Sequence, residues 1–479
     1  MNPYRIILPL FLFSLAFGVR LIYLQEFPNN PLFDIVPQAM DHFNFDQAAI
    51  NFAEGDLLAR SPNNSFSPLY KYFLGVLYWL FGRNFYVIYS VQFALGALGS
   101  VLVYWIGRDL FGTRAGLIAF FGFALYSTQI FYEGILLRAS FITFLGLLSF
   151  FLLTRLQKEL TISRLVVATL ALSLFFQARP NTLLCLPPVL VFLHCYVFRG
   201  KPGGEVARSW SVFTGVLLLS FIPLLVQCYV VHGRFVFFDA SGPHTFIAGN
   251  LTSYSGVGFE EQVVEDYRKQ NILGYGSNIQ YLLGHIAQSP WEFFKLYLRK
   301  VYFFFNDFEA PSNLSVYLYR EFSEWSGKLL NHFALYSSLG LAGMALAARQ
   351  RKPVFLLASF ALALTLSVVL FLNESRYRLP AVPYYILFGA YAASTLIGWT
   401  FQKHFKDAAI LAAVAALLFF TFLEPKGIAH IRTDDYNNAA LAWREKGNLA
   451  KANEFLDRAL ALNPRDPTTH FNKGQYFYI

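Results

Sequence analysis

SPLYKYFLGVLYWLFG, Ser67 to Gly82, is the stretch on which the reading of this chain turns. If it crosses a membrane, every later loop changes sides. If it lies along the surface, the basic residues fall into register. It contains Lys71 and has only about fifteen apolar-leaning residues, whereas a helix needs about 20 to cross a ~30 Å hydrocarbon layer. It is therefore predicted to be a helix lying in the interface. Eleven apolar segments then remain as spans, roughly 6–24, 85–106, 115–130, 135–154, 165–178, 182–198, 211–231, 329–348, 354–372, 381–400 and 408–423, with Arg5 inside. The basic clusters GRDLFGTR (107–114), RLQKELTISR (155–164), RGKPGGEVAR (199–208), RQRK (349–352) and QKHFK (402–406) all fall on the cytoplasmic side, as the positive-inside rule expects.

Composition agrees with this reading. The 479 residues are 56% hydrophobic and only 14% charged, where a soluble domain carries about a quarter charged residues. The predicted fold class is an all-α polytopic membrane protein. Its formal charge of +9 does not indicate nucleic acid, because the cations sit in short loops at alternate helix ends. Cys185, Cys195 and Cys228 all lie in apolar runs, so neither a disulfide framework nor a cysteine metal site is indicated. The first run, Ile6 to Leu24, lacks a small-residue cleavage site and reads as a retained helix.

The organisation follows: a membrane domain over 1–423, with outer loops at about 25–84 and 232–328, then a polar tail over 424–479. In the tail, Gly447, Ala452, Ala459 and Pro464 match the 34-residue tetratricopeptide (TPR) pattern, and Gly474 and Phe477 stand in register for a second repeat. The pattern stops at Ile479, partway through that unit. One repeat cannot bury its own apolar face, so the tail is either cut short or packs on something else. An ordinary amphipathic hairpin is the alternative.

Acid gathers in QAMDHFNFDQAAINFAEGD (38–56), which holds Asp41, Asp46, Glu54 and Asp56. Phe45, Ala49, Phe52 and Ala53 form an apolar stripe at helical spacing, and Glu54 and Asp56 suit the wet end of that helix. Asp41 precedes the stripe and closely follows a span, which would hold it at the membrane surface, where a general base could meet a lipid headgroup. Asp34 in PLFDIVP competes for that role but reads better as a turn residue. Glu133 and Arg138 in FYEGILLR, Arg179 in QARPN, and Glu374, Arg376 and Arg378 in NESRYRLPAVP reach the same face. Charges at helix ends are costly and mark substrate paths, and guanidinium groups at headgroup depth suit phosphate. Carboxylates beside arginines suit transfer from a phosphate-linked lipid: a carboxylate takes the acceptor's proton while arginines hold the departing phosphate. The residues alone name no sugar.

With these residues in view, the chain resembles the GT-C superfamily of membrane glycosyltransferases. It is most similar to the branch of protein O-mannosyltransferases and aminoarabinose transferases, and within it to bacterial members with tetratricopeptide tails. The resemblance rests on PLFD followed by AMDHFNFDQAA, then SPLYKYFLGVLYWLFG, GRDLFGTRAGL, FYEGILLRASF, ARPNTLL, HTFIAGN, FFNDFEAPSN and ESRYRLPAVP, in that order. It implies that Asp41 is the base that activates the acceptor, with Phe45 in the usual aromatic position. It also implies that Asp46 and Glu133 are further acids of the catalytic set, and that Arg376 and Arg378 lie near the lipid phosphate. Arg138 and Lys71 are additional phosphate candidates, and Arg179, His244 and Asn250 weaker substrate candidates. Aminoarabinose transferases have a Glu-Lys pair, linked to metal and phosphate, where this chain has Phe66 and Ser67. No metal ligand is therefore assigned, and a divalent metal stays open.

The expected activity is an inverting transfer of a sugar from a polyprenyl-phosphate donor to a lipid-linked, protein or glycan acceptor. The expected location is a bacterial inner membrane, with the site and tail on the periplasmic or exterior face and a protein partner for the tail. Two other classes compete. A lipid-linked sugar flippase would show midplane charges and helix repeats, and neither is seen. Against a non-catalytic envelope scaffold stand Asp41, Glu133, Arg376 and Arg378, and alanine at Asp41 leaving activity intact would favour it.

Overall fold

The computed structural model describes residues 4–38, 40–258 and 275–475, apart from a few side chains. Among them, seven helices are long and apolar enough to cross a membrane: Ile7–Asn29, Phe85–Phe111, Ala139–Lys158, Pro180–Val197, Gly203–His232, Ser375–Phe401 and Phe405–Phe422. Shorter apolar helices, Thr113–Ala124, Ile162–Ala178, Phe333–Arg349 and Phe355–Val369, occupy the four remaining predicted positions. The protein is an all-α, multi-pass membrane protein.

We name the helices that build the site α1 (Tyr4–Gln25), α2 (Asp41–Ala53), α3 (Pro68–Phe81), α4 (Phe85–Phe111), α5 (Thr113–Ala124), α6 (Ser127–Glu133), α7 (Ala139–Lys158) and α8 (Ile162–Ala178). The decisive stretch is α3. Its 14 residues rise only about 21 Å, short of the ~30 Å hydrocarbon thickness. One face, with Tyr70, Leu74 and Tyr78, is buried, and Tyr70 meets Phe45 of α2 edge-on at 5.1 Å. The other presents Val76, Trp79, Leu80 and Phe81 outward, the amphipathic division of a helix lying at an interface.

Helix α4 connects the two ends of the molecule, its 27 residues spanning roughly 40 Å. Near its C-terminus Asp109 gathers Arg155 at 3.0 Å and Lys158 at 2.8 Å, both from α7. Just before its N-terminus Arg83 meets Asp46 at 2.9 Å. The candidate site lies at the Asp46 end.

Lipid offers no hydrophobic drive for helices to associate, so close backbone approach through small residues carries the packing. Helix Phe333–Arg349 lies so near Val382–Phe401 that a Cβ built on Gly343 would fall 2.0 Å from the Phe388 carbonyl oxygen. Gly343→Ala therefore forces the two backbones apart. It is expected to cost about 1–3 kcal/mol and lower the thermal unfolding midpoint in detergent, whereas Gly398→Ala, with nothing within 4 Å of the added carbon, leaves it unchanged.

The tail folds as helices Thr433–Glu445, Leu449–Leu462 and Pro467–Gln475. Gly447, at φ +76°, makes the turn between the first two, a backbone conformation glycine adopts without strain. Ala439, Ala440, Ala452, Leu456 and Ala459 are buried. The tail packs on the segments 25–84 and 232–328: Lys446 pairs with Asp34 at 2.8 Å, Arg458 with Glu321 at 2.8 Å, and Phe455 stacks on Phe322. Phe477 lies outside the described residues.

Candidate active site

Asp41 opens α2 with its side chain half-buried, and Arg376 forms an ion pair with its Oδ2. Asn313 closes the other side. Its Oδ1 accepts from the Asp41 backbone N–H at 2.9 Å and its Nδ2 donates to Asp41 Oδ2 at 2.9 Å. Arg376 also donates from Nε to Glu374 Oε2 at 2.7 Å, so one guanidinium bridges two carboxylates. Burial alone would push the Asp41 carboxyl up. The charge and hydrogen bond of Arg376, with the Asn313 amide, outweigh this and hold it below the ordinary carboxylate range.

These groups line a cavity of about 530 Å³, a size usual for small-molecule sites. Arg138, Arg179, Asp239 and Tyr377 line it too. Arg138 pairs with Asp239 at 2.8 Å. Arg179, in the turn after α8, has no carboxylate within ion-pair distance among the described residues. It lies over the Tyr377 ring, 3.6 Å from the centroid, and Arg376 approaches the same ring at 4.7 Å. Burial pushes the Arg179 guanidinium down to about 10, so it stays cationic at neutral pH. The cavity thus offers three guanidinium groups, of which Arg179 is the one available to an incoming anion without breaking an ion pair.

The other sequence candidates are held elsewhere. Glu133 does not reach the cavity. It is fully buried against Arg20 of α1, with Oε2 2.6 Å from Nε and Oε1 3.1 Å from Nη2, and it accepts from Gln129 at 2.8 Å. Asp46 is spent pinning helices: Tyr78 donates to it at 2.6 Å and Arg83 forks onto both its oxygens. Arg378 is buried against Glu309 at 2.9 Å and donates to the carbonyls of Asn306 at 2.7 Å and Phe304 at 3.1 Å. Lys71 is buried and does not line the cavity, its Nζ donating to Ser61 Oγ at 2.9 Å, and burial lowers it to about 8. Asn250 is buried in a backbone-anchoring role, donating to Leu370 O at 2.8 Å and accepting from Tyr297 at 2.8 Å. The His244 side chain lies outside the described residues. For Glu133, Asp46 and Arg378 the charged partner is remote in sequence, so the charge is visible in the chain but its pairing is not.

Asn313 and Asp239 were not singled out from the sequence. Asn313 falls within FFNDFEAPSN, and an amide in a loop carries no signal of what it holds. Among the described residues no group of three or more His, Cys, Asp and Glu could hold a metal ion. Asp41 and Glu374 share the Arg376 guanidinium.

Residues 65–227 match the family described as dolichyl-phosphate-mannose-protein mannosyltransferase. That segment contains SPLYKYFLGVLYWLFG, GRDLFGTRAGL, FYEGILLRASF and ARPNTLL. No curated protein matches the chain in sequence. Among solved structures, ArnT from Cupriavidus metallidurans bound to undecaprenyl phosphate is 13% identical, with a TM-score of 0.49, over 99% of this chain and 79% of that one. The archaeal oligosaccharyltransferase AglB from Archaeoglobus fulgidus, in complex with an inhibitory peptide and a dolichol-phosphate, is also 13% identical at a TM-score of 0.49, over 99% of this chain. This chain spans 60% of AglB's length. The chain is thus an all-α membrane protein in which residues 65–227 match the dolichyl-phosphate-mannose-protein mannosyltransferase family, with Arg138 and Arg179 of the cavity inside the matched segment.

Proposed function

We propose that this protein is an inverting glycosyltransferase that moves a sugar from a polyprenyl-phosphate donor to an acceptor hydroxyl on the outer face of the cytoplasmic membrane. The observation that carries this reading is one cavity holding a carboxylate, Asp41, beside three guanidinium groups, Arg138, Arg179 and Arg376. The family match over 65–227 supports it.

In this reading the donor's phosphate enters beside Arg179 and draws Arg376 from Asp41. Phosphate and Asp41 compete for the same fork of N–H donors. Loss of Arg376 leaves Asp41 half-buried with less compensating charge, so its proton affinity rises just when a base is needed. Asp41 then takes the acceptor's proton, and the acceptor oxygen forms a bond to the anomeric carbon from the face opposite the phosphate. The bond from that carbon to the phosphate oxygen breaks, and polyprenyl phosphate departs with its charge held by Arg179 and Arg376. A single displacement inverts the anomeric configuration.

Arg179 gives the direct test of binding. A hydrogen bond to a charged group contributes about 1.5–3 kcal/mol, so Arg179→Gln should raise the Kd for undecaprenyl phosphate about 10- to 150-fold. Fluorescence or microscale binding in nanodiscs reads this, and unchanged affinity would remove Arg179 from the donor site.

A further inference from the structure

We infer that Asn313 is the positioning residue that fixes Asp41, and that the C-terminal tail in turn fixes Asn313, so the tail sets the working geometry of the cavity. This rests on the reading of Asp41 as the base.

The geometry is a chain of short links. Asn313 holds Asp41 by both ends of its amide, one bond to the backbone N–H and one to the carboxylate. An amide is suited to this because it offers an acceptor and a donor on one short side chain. The residues that straddle Asn313 are each tied to the segment leading into the tail. Arg432 donates to the carbonyl of Ser312, and Ser315 Oγ donates to the carbonyl of His430 at 2.9 Å. The His430 ring stacks on Tyr317 at 4.3 Å. Arg432 is itself held by Asp435 at 3.0 Å, at the first turn of helix Thr433–Glu445. The loop Ser312–Ser315 is therefore pinned from the tail on both sides of the residue that grips the carboxylate.

The end of the last apolar helix adds a second brace. Asn306 Nδ2 donates to Leu423 O at 2.9 Å and the Asp307 N–H donates to Phe422 O at 2.8 Å. Releasing the tail frees Ser312 and Ser315 but not Asn306 and Asp307. The inference is thus specific to the Asn313 arc.

The charged and titratable groups facing Asp41 are Arg376, Glu374 and Tyr377 from segment 374–378, Arg138 just before α7, and His42 on its own helix. With these unchanged, removing the Asn313 amide leaves Asp41 with one fewer donor and makes it easier to protonate.

The test uses full-length protein in nanodiscs and reads the pH dependence of carbodiimide labelling of Asp41 by peptide mass spectrometry, with Asp41→Asn as the unlabelled control. Asn313→Ala should move the labelling midpoint to higher pH. Asn313→Asp should move it further, because a second carboxylate faces the first. Arg432→Ala should move it the same way by less, and should add nothing in the Asn313→Ala background. Sugar release from polyprenyl-phosphate mannose should fall about tenfold or more in Asn313→Ala, through misplacement of the base. An unchanged midpoint in Asn313→Ala overturns the role of Asn313. Additive shifts from Arg432→Ala and Asn313→Ala overturn the link to the tail. If Asn313→Ala does not fold, Arg432→Ala alone carries the test, and no shift there overturns the link. Full sugar release by Asp41→Asn would instead overturn the base reading and leave the labelling result standing.

Discussion

Asp41→Asn should lower sugar release by about 10²–10⁴-fold, the usual contribution of a positioned general base, while polyprenyl phosphate binding stays the same or tightens. The two halves of this expectation come from one contact. Asparagine keeps the size of aspartate and can still pair with Asn313, but it cannot hold Arg376 as an ion pair. Arg376, otherwise shared between Asp41 and Glu374, then has only one carboxylate to leave when phosphate arrives. A variant that merely damaged the fold would lose rate and binding together. Measuring undecaprenyl phosphate affinity beside the release rate separates the outcomes, and a wild-type rate in Asp41→Asn would show that the acidic stretch is scaffold.

Glu133→Ala should act in the opposite manner, with a large loss of stability and little loss of sugar release per folded molecule. Glu133 and Arg20 are both fully buried, 2.6 Å apart. Removing one partner of a buried pair costs about 3–5 kcal/mol, because the other charge is left uncompensated. Gly96 explains why the pair can sit there, since a Cβ at that position would fall 2.0 Å from Glu133 Oε1. Replacing both charges, as in Arg20→Leu with Glu133→Leu, should recover much of the lost stability, since apolar pairs of similar volume often match buried ion pairs. Thermal unfolding in detergent reads both variants. A Glu133→Ala protein of wild-type stability but without sugar release would return Glu133 to the catalytic set.

The contrast between Asp41 and Glu133 shows what the chain made legible. Apolar runs have a length scale set by the bilayer, so each predicted span falls on an apolar helix, and Ser67–Gly82 folds as a short helix with one face buried and the other exposed. Clustering of charge at one end of these helices was also readable, because charge in an apolar sequence is conspicuous. What a linear reading does not contain is pairing. Arg20 and Glu133 are 113 residues apart, Arg378 and Glu309 are joined through a loop, and Asp46 is committed to Tyr78 and Arg83. Glu133, Arg378 and Asp46 are conspicuous as charges in an apolar sequence, but the residues that hold them cannot be read from it. Asn313 is the reverse case, a neutral residue in an unremarkable loop that comes to matter through a contact 272 residues away. The tail illustrates the same point. Its helices follow from periodicity, but its seat on Asp34 and Glu321 depends on loops far upstream.

The claim at the centre of this account is that the cavity beside Asp41 holds the phosphate end of a polyprenyl lipid. The most direct measurement is photo-crosslinking in nanodiscs with a polyprenyl phosphate carrying a diazirine in the isoprenoid unit next to the phosphate. The account predicts label on peptides bearing cavity residues such as Phe66, Ile142, Pro180 and Phe371, suppressed by excess undecaprenyl phosphate and weakened in Arg179→Gln. Label concentrated at the opposite end of the bundle, around Arg155 and Arg164, or unaffected by competitor, would contradict it.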